Sequence, residues 1–218
     1  MRLSAESYVE FSRLVEIDRE EAVTNRDMAF EAKLEKFHAL YDITKTLPGF
    51  TYFDCGDTAL LIALRNAIHH RDHTLFHSWN SRIGHQDSSV SLTGQRFLLA
   101  STTPGDNALT MRFYYLLNDF YERLRSIPKA EKMRALWNAE LQFSEIEMAG
   151  KAGGFSDSQV YVDVMPAFIS AMHRVQGWLA AIGFTPYGFD GKVYFQSFSE
   201  PVPQRRLGFK VHVSATTS

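Results

Sequence analysis

A mainly α fold, a helical bundle of about five helices with minor β-hairpins, is predicted by three features of the 218-residue sequence. Apolar residues recur at helical spacing over long stretches, as in Leu109, Phe113, Leu116, Leu117, Phe120 and Leu124. Helix-start chemistry precedes such stretches, at Asp57 and at the capping box Ser156-Asp157-Ser158-Gln159. Strict alternation is confined to short runs, cleanest at Leu207, Phe209, Val211 and Val213. The length suits one domain, residues 1–218, with a C-terminal hairpin extension at about 188–218.

The elements follow in order. Ser4 is placed to cap a first helix, and Tyr8, Phe11, Leu14, Val15 and Ile17 share one face. Phe30, Leu34, Phe37 and Tyr41 continue the stripe, and the polar run Thr24 to Asp27 between the two sets marks a place for a bend. Leu47-Pro48-Gly49 ends the region. A second helix opens within Asp54 to Thr58, with Asp57 as its cap, and runs to about His70. Phe76 and Trp79 are expected to pack the next turn onto the core. Residues 88–102 read as a hairpin turning at Thr93-Gly94. Helices are expected over 109–127, from Ser126 to about Gly150 with Pro128 in the first turn, and after Ser156 with a kink at Pro166 and a cap at Gly183. Phe155 and Val160 are spaced for a hydrophobic staple at that last start. Lys192–Phe198 and Leu207–Val213 read as a terminal hairpin.

Hydrophobic residues make up 45% and charged residues 22% of the chain, which argues against disorder. The net charge of −2 excludes a molecule that attracts nucleic acid with its whole surface, so phosphate binding would need a local patch. The single cysteine, Cys55, reads as a buried thiol and fits a reducing compartment. Neither a signal core nor a run of about 18 apolar residues is present, so a cytoplasmic protein with no membrane association is expected.

Reactive side chains concentrate between Leu64 and Asn80, where His69, His70, His73 and His77 stand among Arg65, Arg71 and Asp72. His69, His73 and His77 fall four apart, a spacing that could supply zinc ligands from one helix face. The H-E-x-x-H pattern is absent and two arginines flank the run, so no metal site is expected. Metal-free RNA cleavage fits better. One group takes the 2′-OH proton and another protonates the leaving 5′-oxygen, and histidine suits both roles. A guanidinium stabilises the charge that grows on phosphorus-bound oxygens, and an asparagine can orient an imidazole. Arg65, Asn66 and His70 supply these parts, with His69, Arg71 and His73 beside them as substrate-binding candidates. Arg65 and His70 are five apart, roughly 140° around an ideal helix, so they converge only if the helix ends or widens or a second chain completes the site. Against this stands a simpler role, since cationic side chains are favoured at any helix C-terminus. Arg82, Arg112, Arg123, Arg125, Arg205 and Arg206 are further basic residues of the kind usually found on a solvated surface.

Arg65-Asn66-Ala67-Ile68-His69-His70 resembles the R-N-x-x-x-H signature of the HEPN superfamily (higher eukaryotes and prokaryotes nucleotide-binding). The resemblance implies an α-helical domain with the motif near a helix end. It implies Arg65 and His70 as a catalytic pair, Asn66 as a polar helper and no cofactor. It implies metal-independent endoribonuclease activity in a toxin–antitoxin or phage-defence setting, with a homodimer lining one cleft and an antitoxin or other protein as a possible partner. Superfamily members that do not cleave RNA imply an alternative, a nucleotide- or protein-binding module.

Overall fold

The computed structural model describes residues 10–70, 77–84, 92–103, 112–125, 129–196 and 206–214. The helices are α1 (Arg19–Thr44), α2 (Gly56–His70), α3 (Trp79–Gly84), α4 (Leu117–Leu124), α5 (Ala130–Leu141), α6 (Phe143–Ala152), α7 (Met165–Ala181) and α8 (Gly188–Gln196). The strands are β1 (Arg96–Thr103), β2 (Tyr114–Leu116), β3 (Val160–Asp163) and β4 (Arg206–Val213). The fold is mainly α, with a small mixed sheet.

At its centre is α2. Every residue from Gly56 to Leu64 is buried, as is Ala67. A helix that is apolar all round must have protein on every side, and α1, α5 and α7 pack against this one. Phe30, Leu34 and Phe37 reach it from α1, and Met133 and Trp137 join the same core from α5. The sheet order is β2-β3-β1-β4. β1 runs parallel to β3, with Leu98 opposite Val160, and antiparallel to β4, with Ala100 opposite Phe209. β2 is antiparallel to β3. Alternate residues face opposite sides of a sheet. Leu98, Ala100, Tyr115, Val160 and Val162 accordingly join the main core, while Phe97, Leu99, Tyr114, Leu116 and Tyr161 form a second cluster under Trp79.

Several expectations are corrected. The first helical region is broken at residues 15–18 and not at Thr24–Asp27: residues 10–14 are helical, and after a turn α1 starts at Arg19, where the Asp18 carboxylate accepts from the Glu21 amide, and runs unbroken to Thr44. The hairpin at 88–102 does not form, because β1 has β3 on one edge and β4 on the other; residues 88–91 lie outside those described. The helical stripe at 109–127 contains strand β2 before α4. The expected helix across Met133 and Ile146 is divided at Gln142, which adopts φ +59°. The capping box at Ser156 exists, but it caps a 3-10 turn (Asp157–Gln159) that leads into β3. With Val160 in that strand there is no helix for it to staple. Pro166 lies in the first turn of α7, where its missing N–H costs nothing, so it produces no kink. The terminal hairpin is absent: residues 188–196 are helical, and β4 pairs with β1 instead of extending away. Phe76 and Ser4 fall outside the described residues.

Candidate functional site at the C-terminal end of α2

α2 is α-helical through to His70, as the sequence predicts. Its buried body fixes the last turn against α1, so Arg65 and Asn66 emerge half-buried and His69 and His70 emerge exposed. Glu35 of α1 meets this turn. Its carboxylate accepts from Arg65 Nε at 3.1 Å to each oxygen and from Arg65 Nη2 at 2.9 Å. Arg65 Nη1 donates to Asn66 Oδ1 at 3.2 Å. His69 Nδ1 lies 3.5 Å from Glu35 Oε1. The Arg65 hydrogen bonds hold the Glu35 carboxyl below the usual range, despite opposition from its partial burial. One turn further along α1, His38 Nδ1 is 3.2 Å from Asp42 Oδ2. Burial, aided by the Arg65 charge, pushes the His38 imidazole down.

Arg65, Asn66 and His69 are thus brought together, with Glu35 as a fourth member. His70 meets His69 edge-on, with ring centroids 5.4 Å apart. Among the described residues no hydrogen bond or ion pair joins Arg65 to His70. The regular helix keeps the pair apart around its axis, as ideal geometry requires. Arg71 and His73 fall in residues 71–76, outside those described. His77 is exposed. Among the described residues no group of three His, Cys, Asp or Glu side chains is placed to hold a metal ion.

The other arginines are mostly engaged. Arg82 donates to the Tyr161 hydroxyl at 3.0 Å and Arg112 to the Tyr114 hydroxyl at 3.2 Å. Arg125 pairs with Glu122 at 2.7 Å. Arg206 is exposed, and Arg205 is outside the described residues. The Cys55 thiol is half-buried, and burial pushes it up, away from the thiolate a nucleophile needs.

Protein-family models give no match to this chain, and neither curated proteins nor solved structures give a significant one.

Glu35 and His38 were not evident as site residues. They lie 30 and 27 positions before Arg65 on a separate helix. Their one sequence signal is local: Glu35, His38 and Asp42 share a helix face. The opposite end of α2 carries a second polar cluster, also unforeseen. Asp57 is buried and accepts from Ser170 Oγ at 2.8 Å and Arg174 Nε at 3.2 Å. Glu140 accepts from the Gly56 amide at 2.9 Å and lies 3.5 Å from Arg174 Nη2. The expectation of Asp57 as a helix cap is modified accordingly: it sits inside the first turn, and Glu140 takes the Gly56 amide.

Among the described residues no helix is long and apolar enough to cross a membrane.

Proposed function

We propose that this chain is a HEPN-like, metal-independent endoribonuclease. The observation that carries the reading is the R-N-x-x-x-H spelling on the last turn of a buried helix, with a rigidly held guanidinium next to two exposed imidazoles. A site on a rigid element keeps its geometry under load. In the reaction the RNA 2′-oxygen attacks the adjacent phosphorus as its proton passes to a base. The P–O5′ bond breaks, and the 5′-oxygen takes a proton from an acid. His70 supplies one of these groups. Arg65 faces the phosphate oxygens, where charge grows in the transition state. Asn66 holds Nη1 of Arg65 and so fixes the plane of the guanidinium. His69, Arg71 and His73 contribute contacts to the RNA backbone. A two-fold homodimer lines one cleft with the motifs of both chains, so that Arg65 of one chain meets His70 of the other, which one regular helix keeps apart, and the two copies of His70 serve as base and acid. A cytoplasmic toxin–antitoxin or phage-defence role, with an antitoxin-type partner, follows from the same resemblance.

One observation favours a second reading. Nε and Nη2 of Arg65, the edge that would grip two phosphate oxygens, are taken by Glu35. A chain whose arginine stays so occupied is a non-catalytic nucleotide- or protein-binding module. Incubation of the purified protein with single-stranded and loop RNAs, with and without EDTA, separates the two. Cleavage that survives EDTA and disappears in His70→Ala supports the enzyme. Intact RNA under all conditions supports the module.

A further inference from the structure

A cavity of about 240 Å³ lies at the carboxyl ends of β1 and β3 and touches α2 at Leu60, not at the Arg65 turn. The two strands are parallel neighbours. The space beyond the carboxyl ends of parallel strands is where α/β sheets place ligands. Arg65, Asn66, His69 and His70 do not line it, so the inference is independent of the ribonuclease reading. Leu60, Phe143, Ile146 and Ala167 give it apolar walls, while its polar lining is Ser101, Thr102, Glu140, Gln142, Asp163 and Ser170.

The direction of each hydrogen bond decides what this lining can hold. Ser101 Oγ donates to Asp163 Oδ2 at 2.7 Å, and Ser170 Oγ donates to Asp57 Oδ2 at 2.8 Å. A serine has one hydroxyl hydrogen, so both retain acceptor capacity alone. Asp163 Oδ1 accepts from the amides of Phe113 and Met165, each at 3.1 Å. Glu140 accepts through Oε2 from the Gly56 amide. Among the described residues, the buried Gln142 Oε1 has no hydrogen-bond partner. The backbone at Gln142 is itself in the left-handed region, φ +59°, which a non-glycine residue adopts at a cost. A buried acceptor left unpaired costs free energy until a donor reaches it. Charge points the same way. Glu140 and Asp163 line the cavity and Asp57 stands behind Ser170, with the Arg174 guanidinium opposite; among the described residues no Lys, Arg or His lines the space.

We propose that this cavity binds a small organic cation, an ammonium group on an apolar ring or short chain. The ammonium donates to Gln142 Oε1 and to the free lone pairs of Glu140, and the apolar body lies against Leu60, Phe143 and Ala167. An anion such as a nucleotide phosphate meets two carboxylates there and, among the described residues, no cationic side chain; only the Thr102 hydroxyl and the Gln142 amide nitrogen could donate to it.

The test is isothermal titration of the full chain with 2-phenylethylamine and cyclohexylmethylamine, against phenylacetate and 2-phenylethanol. Saturable binding of at least one amine, with phenylacetate silent and the alcohol weaker, is expected. Glu140→Gln should weaken amine binding about ten- to a hundredfold, the usual effect of losing a charged hydrogen-bond partner. Because Glu140 also holds the Gly56 amide, a second variant leaves the polar network intact: Ala167→Leu fills the cavity and should abolish amine binding while the protein stays folded. The proposal is overturned if neither amine binds wild-type protein saturably at millimolar concentration. It is also overturned if phenylacetate binds as well, or if amine binding survives unchanged in folded Ala167→Leu. Should both variants fail to fold, the comparison of amines with phenylacetate on wild-type protein still decides.

Discussion

Glu35 grips the Arg65 guanidinium through three hydrogen bonds of 2.9–3.1 Å, from a helix that precedes Arg65 by 30 residues in sequence. The pair is half-exposed, so its worth to folding is small, about 0–1 kcal/mol. Its worth to the site is larger, because it sets both the orientation of the guanidinium and its availability to an anion.

Glu35→Gln is expected to leave unfolding stability within about 1 kcal/mol of wild type. The same change should tighten single-stranded RNA binding about two- to fivefold at low salt, as the carboxylate stops competing for the fork. Fluorescence anisotropy across a salt series measures this, and an unchanged Kd would show that Glu35 does not compete with RNA.

His70→Ala should lower the cleavage rate about 10²–10⁴-fold, the effect of losing one acid–base group. The exposed position of His70 means that circular dichroism and Tm should stay at wild-type values. Arg65→Lys should also be strongly impaired, because lysine keeps the charge but loses the planar fork and with it the Glu35 and Asn66 geometry. Full activity in the lysine variant would reduce Arg65 to a general source of positive charge.

Asp119 of α4 gives a pH dependence unrelated to the site. It is 3% exposed, and among the described residues its Oδ2 has no hydrogen-bond partner. Burial pushes its carboxyl up to about 7, with the Arg82 charge pulling down and Glu122 pushing up. An unfolded aspartate ionises near pH ~3.9. Between that value and the folded one the native state binds more protons, so stability falls as pH rises through this window. The full effect is at most about 4 kcal/mol. Asp119→Asn should flatten urea-unfolding stability between about pH 4 and 7, and an equally steep profile in the variant would remove Asp119 as the cause.

Gly150→Ala should destabilise by about 1–3 kcal/mol. A Cβ at Gly150 of α6 would sit 2.6 Å from Val160 Cγ2 of β3, closer than packed carbons tolerate. Val160 is itself buried and paired with Leu98, which limits its retreat. Combining the change with Val160→Ala should recover part of the loss, measured as a double-mutant cycle in urea.

α2 was legible in the sequence because its signals agree: an aspartate in the first turn, a long apolar body and a cationic last turn. The sheet was not. Tyr114-Tyr115-Leu116 and Val160 to Val162 are buried on both faces, so they lack the alternation by which a half-buried strand is recognised. Both lie inside apolar runs that also match a helical period. The division of α5 from α6 rests on a glutamine in a left-handed conformation, which no glycine announced. In the candidate site, the extent of the helix that carries Arg65, Asn66, His69 and His70 on its last turns was legible from its apolar body and cationic end. Glu35 was not, because its role depends on how α1 lies against α2, a relation that no local pattern encodes.

The position of β1 has a consequence for biosynthesis. Its two hydrogen-bonded neighbours are β3, some 60 residues later, and β4, more than 100 residues later. Chains emerge N-terminus first, so β1 leaves the ribosome with both edges bare and waits for most of the remaining chain. During that interval Phe97, Leu98 and Leu99 form an unpaired apolar segment, the kind that captures a neighbouring chain. A chain truncated before residue 206 would leave one edge of β1 unpaired indefinitely, and it should depend on chaperones more than the full chain does.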